Sequence, residues 1–346
     1  LLTWVRFPSP APFPVWSHVP TLLALLLLFA LLPAAAVAED GGLPDPLSLE
    51  QALDLAGQAP RGRAASELSD MLPRRLPLYL DCHHLAFSQA ASDDGRSQPR
   101  EGLIASRDAQ GLEIMARFFD VLLADLGFAR YNEAMAVAYI QYDRANVRRE
   151  LGQFSELRVA ELEAVYQDVR RKRASSQISQ RLTRSLLAQA VGRPDQLPRD
   201  LSEPQLPQIP DPLPEPDEAV TAALADNGRL AELKQGADEG NLNLLDAELR
   251  QQALELLLRL DGLTAAAQHA DVELTLSDLK LDESRTLYEQ EVKADLGFSM
   301  SRQTRARLEQ QRVAFCRALT WAELNALQGK PLWPQPEAEA EAEAKP

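Results

Sequence analysis

Between Leu249 and Tyr288, apolar residues recur at alternating steps of four and three. The series is Leu249, Ala253, Leu256, Leu260, Leu263, Ala267, Ala270, Leu274, Leu281 and Tyr288, and only Ser277 and Ser284 interrupt it. Such spacing places the side chains on one stripe of a helix and calls for a helical partner along its length. Forty residues of helix span about 60 Å at about 1.5 Å per residue. A turn near Asp295–Gly297 then predicts a return helix over 299–327, ending at Gly329 and Pro331.

The first half carries a second, less regular stripe: Met115, Phe119, Leu122, Leu126, Ala129, Ala136, Ile140, Val147 and Phe154, broken by Glu133 and Asp143. It predicts a long helix over 103–150. A second helix follows over 156–191, with Leu162, Val165, Val169, Ile178, Leu182 and Leu186 on one side. Between them lies "LGQFSE". A glycine just past one helix and a serine just ahead of the next mark a turn. Gly152, Phe154 and Ser155 are therefore expected at the tip of a helical hairpin, with Phe119, Leu126 and Ile140 facing the return helix. The competing reading is one unbroken helix that tolerates Gly152 at a cost of about 1 kcal/mol.

The two halves echo each other. Each has a short helix, a long heptad helix, a turn and a return helix that ends in Gly-x-Pro, "VGRP" at 191–194 and "QGKP" at 328–331. The short helices match at an offset of about 167 residues and the return-helix ends at 137, so the second copy is the shorter. The missing length falls around "KQGADEGN", 234–241. This gives a first repeat over 39–192, a proline-rich linker over 193–216, a second repeat over 217–330 and a low-complexity acidic tail over 331–346. The fold class is mainly α: long antiparallel coiled-coil hairpins in two repeats, with a reduced β-strand region. Leu76, Leu78 and Leu80 alternate with Pro77 and Tyr79, which predicts one short strand in 76–87, with Pro77 favouring an edge. Ser48 is placed to cap a short helix ahead of it.

Residues 22–32 form an apolar core followed by Ala36-Val37-Ala38, the pattern of a cleaved secretory signal over 1–38. A retained membrane anchor is the alternative. The chain opens with Leu1 and its first methionine is Met71, so translation is expected to start near Val15 or Val19 from a non-ATG codon. Export implies an oxidising compartment, where Cys82 and Cys316 are compatible with either a disulfide or two free thiols. The net charge of −15 argues against a nucleic-acid partner, which requires a basic footprint. "RRKR" at 170–173 reads as a solvated helix face. Cys82-His83-His84 on a strand would point to opposite faces, so no metal site is expected. No phosphate-binding loop or catalytic constellation is present in the sequence. No cofactor and no enzyme activity are expected.

Taken in order, the signal, "LSLEQALDLA", the hairpin "RRELGQFSELRVAELEA", the proline linker, "ADNGRLAEL" and the second hairpin "SRTLYEQEVKADLGFSM" resemble the TolC-like outer-membrane efflux factors over residues 45–330. Lys293 stands where the second hairpin of that family carries glycine. The resemblance implies a homotrimer at the outer membrane and periplasm. Its helices would form a periplasmic barrel and its strands a twelve-stranded membrane barrel. It would serve tripartite efflux or type I secretion with an inner-membrane pump, and a periplasmic adaptor would meet the tips at Gly152, Phe154, Ser155, Asp295 and Gly297. It implies no chemistry. The family exposes its second leucine stripe until trimerisation. The short junction before 249 departs from the family and predicts an incomplete set of strands. A soluble periplasmic coiled-coil protein is the alternative.

Overall fold

The computed structural model describes residues 42–59, 61, 74–87, 101–290 and 296–333. The signal segment, residues 88–100, Asp295 and the tail from 334 lie outside the described residues. Eight α-helices occur among those described: α1 (Leu49–Asp54), α2 (Cys82–Phe87), α3 (Ser106–Glu150), α4 (Glu156–Ala190), α5 (Pro216–Asp226), α6 (Gly228–Lys234), α7 (Glu239–Glu289) and α8 (Leu296–Leu327). The protein is mainly α. None of these helices is long and apolar enough to cross a membrane.

The four long helices make two antiparallel hairpins that lie side by side. α4 packs on α3, α3 on α8, and α8 on α7, so α4 and α7 end the row. Contacts fix the direction of the middle pair. Phe119 stacks on Phe315 at 4.5 Å, and Thr304 donates to Glu133 at 2.6 Å. The residue number rises on α3 as it falls on α8, so those two also run antiparallel and both tips point the same way.

Large side chains gather at the end away from the tips. Phe118, Phe119, Phe315, Leu47, Leu49, Ile114, Met115 and Leu230 are fully buried there. Toward the tips many of the buried residues are small, with Ala138 and Ala145 on α3 and Ser277 and Ser284 on α7, beside Val159 on α4 and Leu281 on α7. The α7 stripe is the seam of its hairpin. Leu249, Ala253, Leu256, Leu260, Leu263, Ala270 and Leu281 are buried, and Leu274 is half-buried. Ser284, in register with them, meets the Ser299 hydroxyl of α8 at 2.5 Å. This corrects the expectation that the stripe is exposed in one chain, because α8 already covers it.

The α3 stripe behaves differently. Phe119 faces Phe315 and Trp333 rather than α4, and Ile140 is 47% exposed. α3 has a partner on each side, so no single stripe serves both. Its contact with α4 near the tip uses off-stripe aromatics: Tyr139 and Tyr142 both pack on Tyr166, at 5.6 and 5.9 Å.

The predicted strand in 76–87 does not form. Residues 74–81 are irregular and 82–87 are helical. A parallel bridge between Leu47 and Leu201 is the β-pairing found among the described residues. It ties the chain before α1 to the proline segment. That segment is no loose linker, since Leu201, Leu206, Ile209 and Leu213 pack on the core. Ser48 caps α1 with a reciprocal bond from Gln51. The short helical stretch that opens the second half is split into α5 and α6 at Asn227, whose side-chain oxygen accepts from the Arg229 and Leu230 amides. Its amide nitrogen donates to Leu103 and Leu327 carbonyls. One buried side chain thus joins both halves with all its bonds made.

Candidate functional site

Two regions merit description: the hairpin tips and the opposite end, where residues 74–87 cross the helices.

At the first tip α3 stops at Glu150 and α4 starts at Glu156. Gly152 takes a φ of +70°, a conformation that costs other residues about 1 kcal/mol or more. Its amide bonds to the Arg149 carbonyl, and the Gln153 amide to Arg148, each at 2.8 Å. These two bonds satisfy carbonyls that the helix end would otherwise leave open. Ser155 caps α4 by accepting from the Arg158 amide at 3.2 Å. The Arg148 guanidinium lies 5.3 Å over the Phe154 ring. Leu151 and Leu157, 67% and 71% exposed, flank the turn. The reading of an unbroken helix through Gly152 is excluded by this geometry.

The same closure recurs at the return-helix ends. The Gly192 and Arg193 amides bond to Gln189 and Ala188; the Gly329 and Lys330 amides bond to Ala326 and Asn325. Every member of the second set is the first plus 137. Both glycines have positive φ, 77° and 70°.

At the second tip α7 ends at Glu289 and α8 begins at Leu296. Asp295 lies outside the described residues. Gly297 is not in the turn: it sits in the first turn of α8, where a Cβ would come within 2.5 Å of Val137 Cγ2. Its role is close helix approach. From Val137, α3 continues to Glu150, so the first tip stands about 20 Å beyond Gly297 at about 1.5 Å per residue. The structure thus brings Gly152, Phe154 and Ser155 together and leaves Gly297 apart from them.

At the other end, residues 74–87 form a strap over α3, α7 and α8. Cys82 is disulfide-bonded to Cys316 of α8, with Cα atoms 5.1 Å apart. The Asp120 carboxylate accepts the Leu78, Tyr79 and Leu80 amides at 2.7, 2.7 and 3.3 Å. Arg117 donates to the Leu76 carbonyl at 3.2 Å and also to that of Arg75. Two buried side chains one helical turn apart therefore do for this backbone what a neighbouring strand would do. At the far end Ala86 lies against α7 so closely that a Cβ on Gly262 would meet its carbonyl oxygen at 2.4 Å. Burial pushes the Asp120 carboxyl up, against the pull of the three amides and Arg117. Burial likewise lowers Arg117.

Beneath the strap is a cavity of about 160 Å³, walled by Leu80, Leu112, Ala116 and Leu319 among others. Arg259 of α7 reaches its floor. It donates to Glu323 and Glu255, each at 2.8 Å. Burial raises the Glu323 carboxyl. Burial also opposes the charge on Arg259, but the Glu323 and Glu255 carboxylates outweigh it and hold the guanidinium above its ordinary range. His83 lines the same cavity. With Cys82 bonded to Cys316 and the segment helical, the Cys-His-His triplet makes no ligand set. Among the described residues no group of three or more His, Cys, Asp or Glu side chains is placed to hold a metal ion. The sequence reading missed this end of the molecule, because Asp120, Arg117, Arg259 and Glu323 look like solvated charges in a helical pattern.

The "RRKR" run keeps to its own surface. Arg171 and Lys172 pair with Asp168, and Arg173 bonds Asn132 beneath it at 2.9 Å.

No protein-family model matches the chain, and no curated protein matches it. Solved outer-membrane channel structures do align with it. The channel OprN gives a TM-score of 0.48 at 12% identity, over 83% of this chain and 91% of that one. CusC, in a study of its folding and transmembrane channel formation, gives 0.46 at 13%, over 83% and 93%. The outer membrane protein VceC from Vibrio cholerae gives 0.43 at 12%, over 82% and 97%.

Proposed function

We propose that this chain is a shortened efflux-factor-type protein of the periplasm and outer membrane, built from two repeats over 39–192 and 217–330 joined by the 193–216 segment. It works without chemistry, as a length of helical conduit wall in a tripartite efflux or type I secretion system. The observation that carries this reading is the pairing of hairpins: two of them, side by side, tips at one end, each return helix closed by the same two bonds at a spacing of 137 residues. A row of four helices has two open edges. Here both edges carry exposed apolar residues, Val165 and Ile178 on α4, Val272 and Leu279 on α7. Unlike edges that meet in a ring form a closed, head-to-tail assembly, and three copies give the homotrimer. The first tip, with exposed Leu151 and Leu157 beside Arg148 and Arg149, is the surface for a periplasmic adaptor, which connects to an inner-membrane pump. The experiment is cell fractionation followed by electrophoresis with and without heating. A heat-sensitive trimer in the outer-membrane fraction is the expected result; a monomer in the periplasmic extract overturns it.

A second reading has its own support. α8 already buries the α7 leucine stripe within one chain, so the fold does not need copies to complete its main seam. A soluble periplasmic coiled-coil protein that presents its tips to partners would look the same, and the fractionation separates the two.

A further inference from the structure

We infer that the strap lies on the inside of the ring and forms a collar that narrows the conduit toward the end away from the tips. The inference rests on the conduit reading, in which three rows close head to tail. It starts from the two faces of one row. A Cβ on Gly111 of α3 would meet Leu332 and Leu53 of α1. Nine residues on, Asp120 holds the strap. Arg250 of α7 pairs with Asp217 of α5 at 2.9 Å. Nine residues on, Arg259 lies under the strap. Nine residues make about two and a half helical turns, which is the opposite side of the helix. One face of the row therefore carries α1, α5 and Leu332, and the strap crosses the other.

The two layers differ in width, and a ring accepts only one of them inside. The first layer begins on α4, where Arg184 donates to the Arg199 carbonyl at 3.0 Å. It continues through the Leu47–Leu201 bridge to α1 on α3 and ends at α5 on α7, so it is as wide as the row. The strap runs only from α3 to α7. Tyr79 lies beside Gly127 of α3, Cys82 is bonded to Cys316 of α8, and Ala86 lies against Gly262 of α7. With neighbouring axes about 10 Å apart, a row is about 40 Å wide and twelve helices close a ring of about 19 Å radius. A layer packed on the inner face sits about 10 Å nearer the ring axis, where each copy has about 20 Å of arc. The wide layer does not fit there and the strap does. Three straps then reduce a bore of about 28 Å to about 10 Å. The Asp120 bonds and the disulfide hold the strap down along its length, which makes it a fixed collar. Its exposed leucines, Leu76 at 36% and Leu78 at 48%, form the inner lip.

The test is crosslinking of the full oxidised chain with a three-armed maleimide whose arms span about 20 Å. Inside the ring the three straps lie about 17 Å apart; outside it they would be about 50 Å apart. Leu78→Cys puts one free thiol on each strap, and Asp54→Cys puts one on the opposite face. Leu76→Cys replaces the first variant if that one does not fold. Light scattering reads the oligomeric state before the reagent is added. A trimer that is covalently linked through Leu78→Cys and not through Asp54→Cys is the expected result. A trimer linked through Asp54→Cys alone, through both positions or through neither overturns the collar and leaves the conduit reading standing. A chain that stays monomeric overturns both.

Discussion

Asp120 is the side chain on which the 74–81 segment hangs. It is buried, it accepts three amides of a segment that has no strand beside it, and its neighbour Arg117 holds two carbonyls of the same segment. Removing the carboxylate leaves those amides unpaired and takes one of two carboxylates from the buried Arg117, which keeps Glu113 at 3.9 Å. Asp120→Ala is therefore expected to cost about 2–4 kcal/mol, read from urea unfolding at neutral pH. The acid side of the curve carries a second signature. The native carboxyl titrates above the 3.8 of a free aspartate, so the folded chain holds that proton more tightly than the unfolded one. Its titration adds stability fully below pH 3.8, and that contribution is lost as pH rises through the elevated native value. Asp120→Asn should flatten this part of the stability profile; an unchanged slope would show that the carboxyl is not displaced upward. None of this was legible in the sequence. Asp120 lies about forty residues from the amides it serves, and alternation at Leu76, Leu78 and Leu80 says only that the backbone is extended. It does not say what satisfies it.

Elements with one partner were readable, and those with two were not. The α7 stripe predicted its own seam from Leu249 to Leu281, with Tyr288 at its end left 54% exposed, because α8 is its main neighbour, whereas the α3 stripe misplaced Phe119 and Ile140 because α8 and α4 divide that helix between them. Turn chemistry was local and so was legible: Gly152, Gly192 and Gly329 all hold the positive φ that helix ends require. The disulfide was not, since 234 residues separate its cysteines and only the packing of α2 brings them together. Cys82→Ser with Cys316→Ser should cost about 2–5 kcal/mol. Hydrogen exchange should quicken at the Leu78–Leu80 amides and stay unchanged around Gly152. Equal quickening at both would mean that the strap and the tip unfold as one unit. The interruptions of the α7 stripe are also informative. Ser277 is buried and its hydroxyl has no partner, while Ser284 has Ser299. Ser277→Ala is expected to stabilise the hairpin by about 1 kcal/mol, because a lone buried hydroxyl is a cost. Ser284→Ala, which strands the Ser299 hydroxyl, should destabilise it. Thermal melts of the two variants, moving in opposite directions, check the assignment.

At the scale of the whole molecule the decisive feature is the junction between α6 and α7. α6 ends at Lys234 and α7 begins at Glu239, so 235–238 is all that joins them. Those residues are already committed: Gly236 turns the chain with a φ of +83°, and Asp238 caps α7 by accepting the Asn241 amide. A membrane-spanning strand needs about 9–11 residues, so no strand pair fits here. The efflux factors that the sequence resembles place a strand pair in each repeat, and twelve strands close their barrel. If the chain is the proposed trimer, a repeat without that pair limits three copies to at most half of that number. An unclosed sheet in lipid leaves a row of amides and carbonyls unpaired, at several kcal/mol for each group. The helical part is free of this constraint, because its hydrogen bonds are internal and its main seam is covered within one chain. Purified protein is therefore expected to fold and to show the hairpin geometry, yet to give no stable single-channel currents in planar bilayers where a full-length efflux factor does. Conductance steps of trimer-pore size from this chain alone would mean that strands outside 235–238 close a barrel of another design.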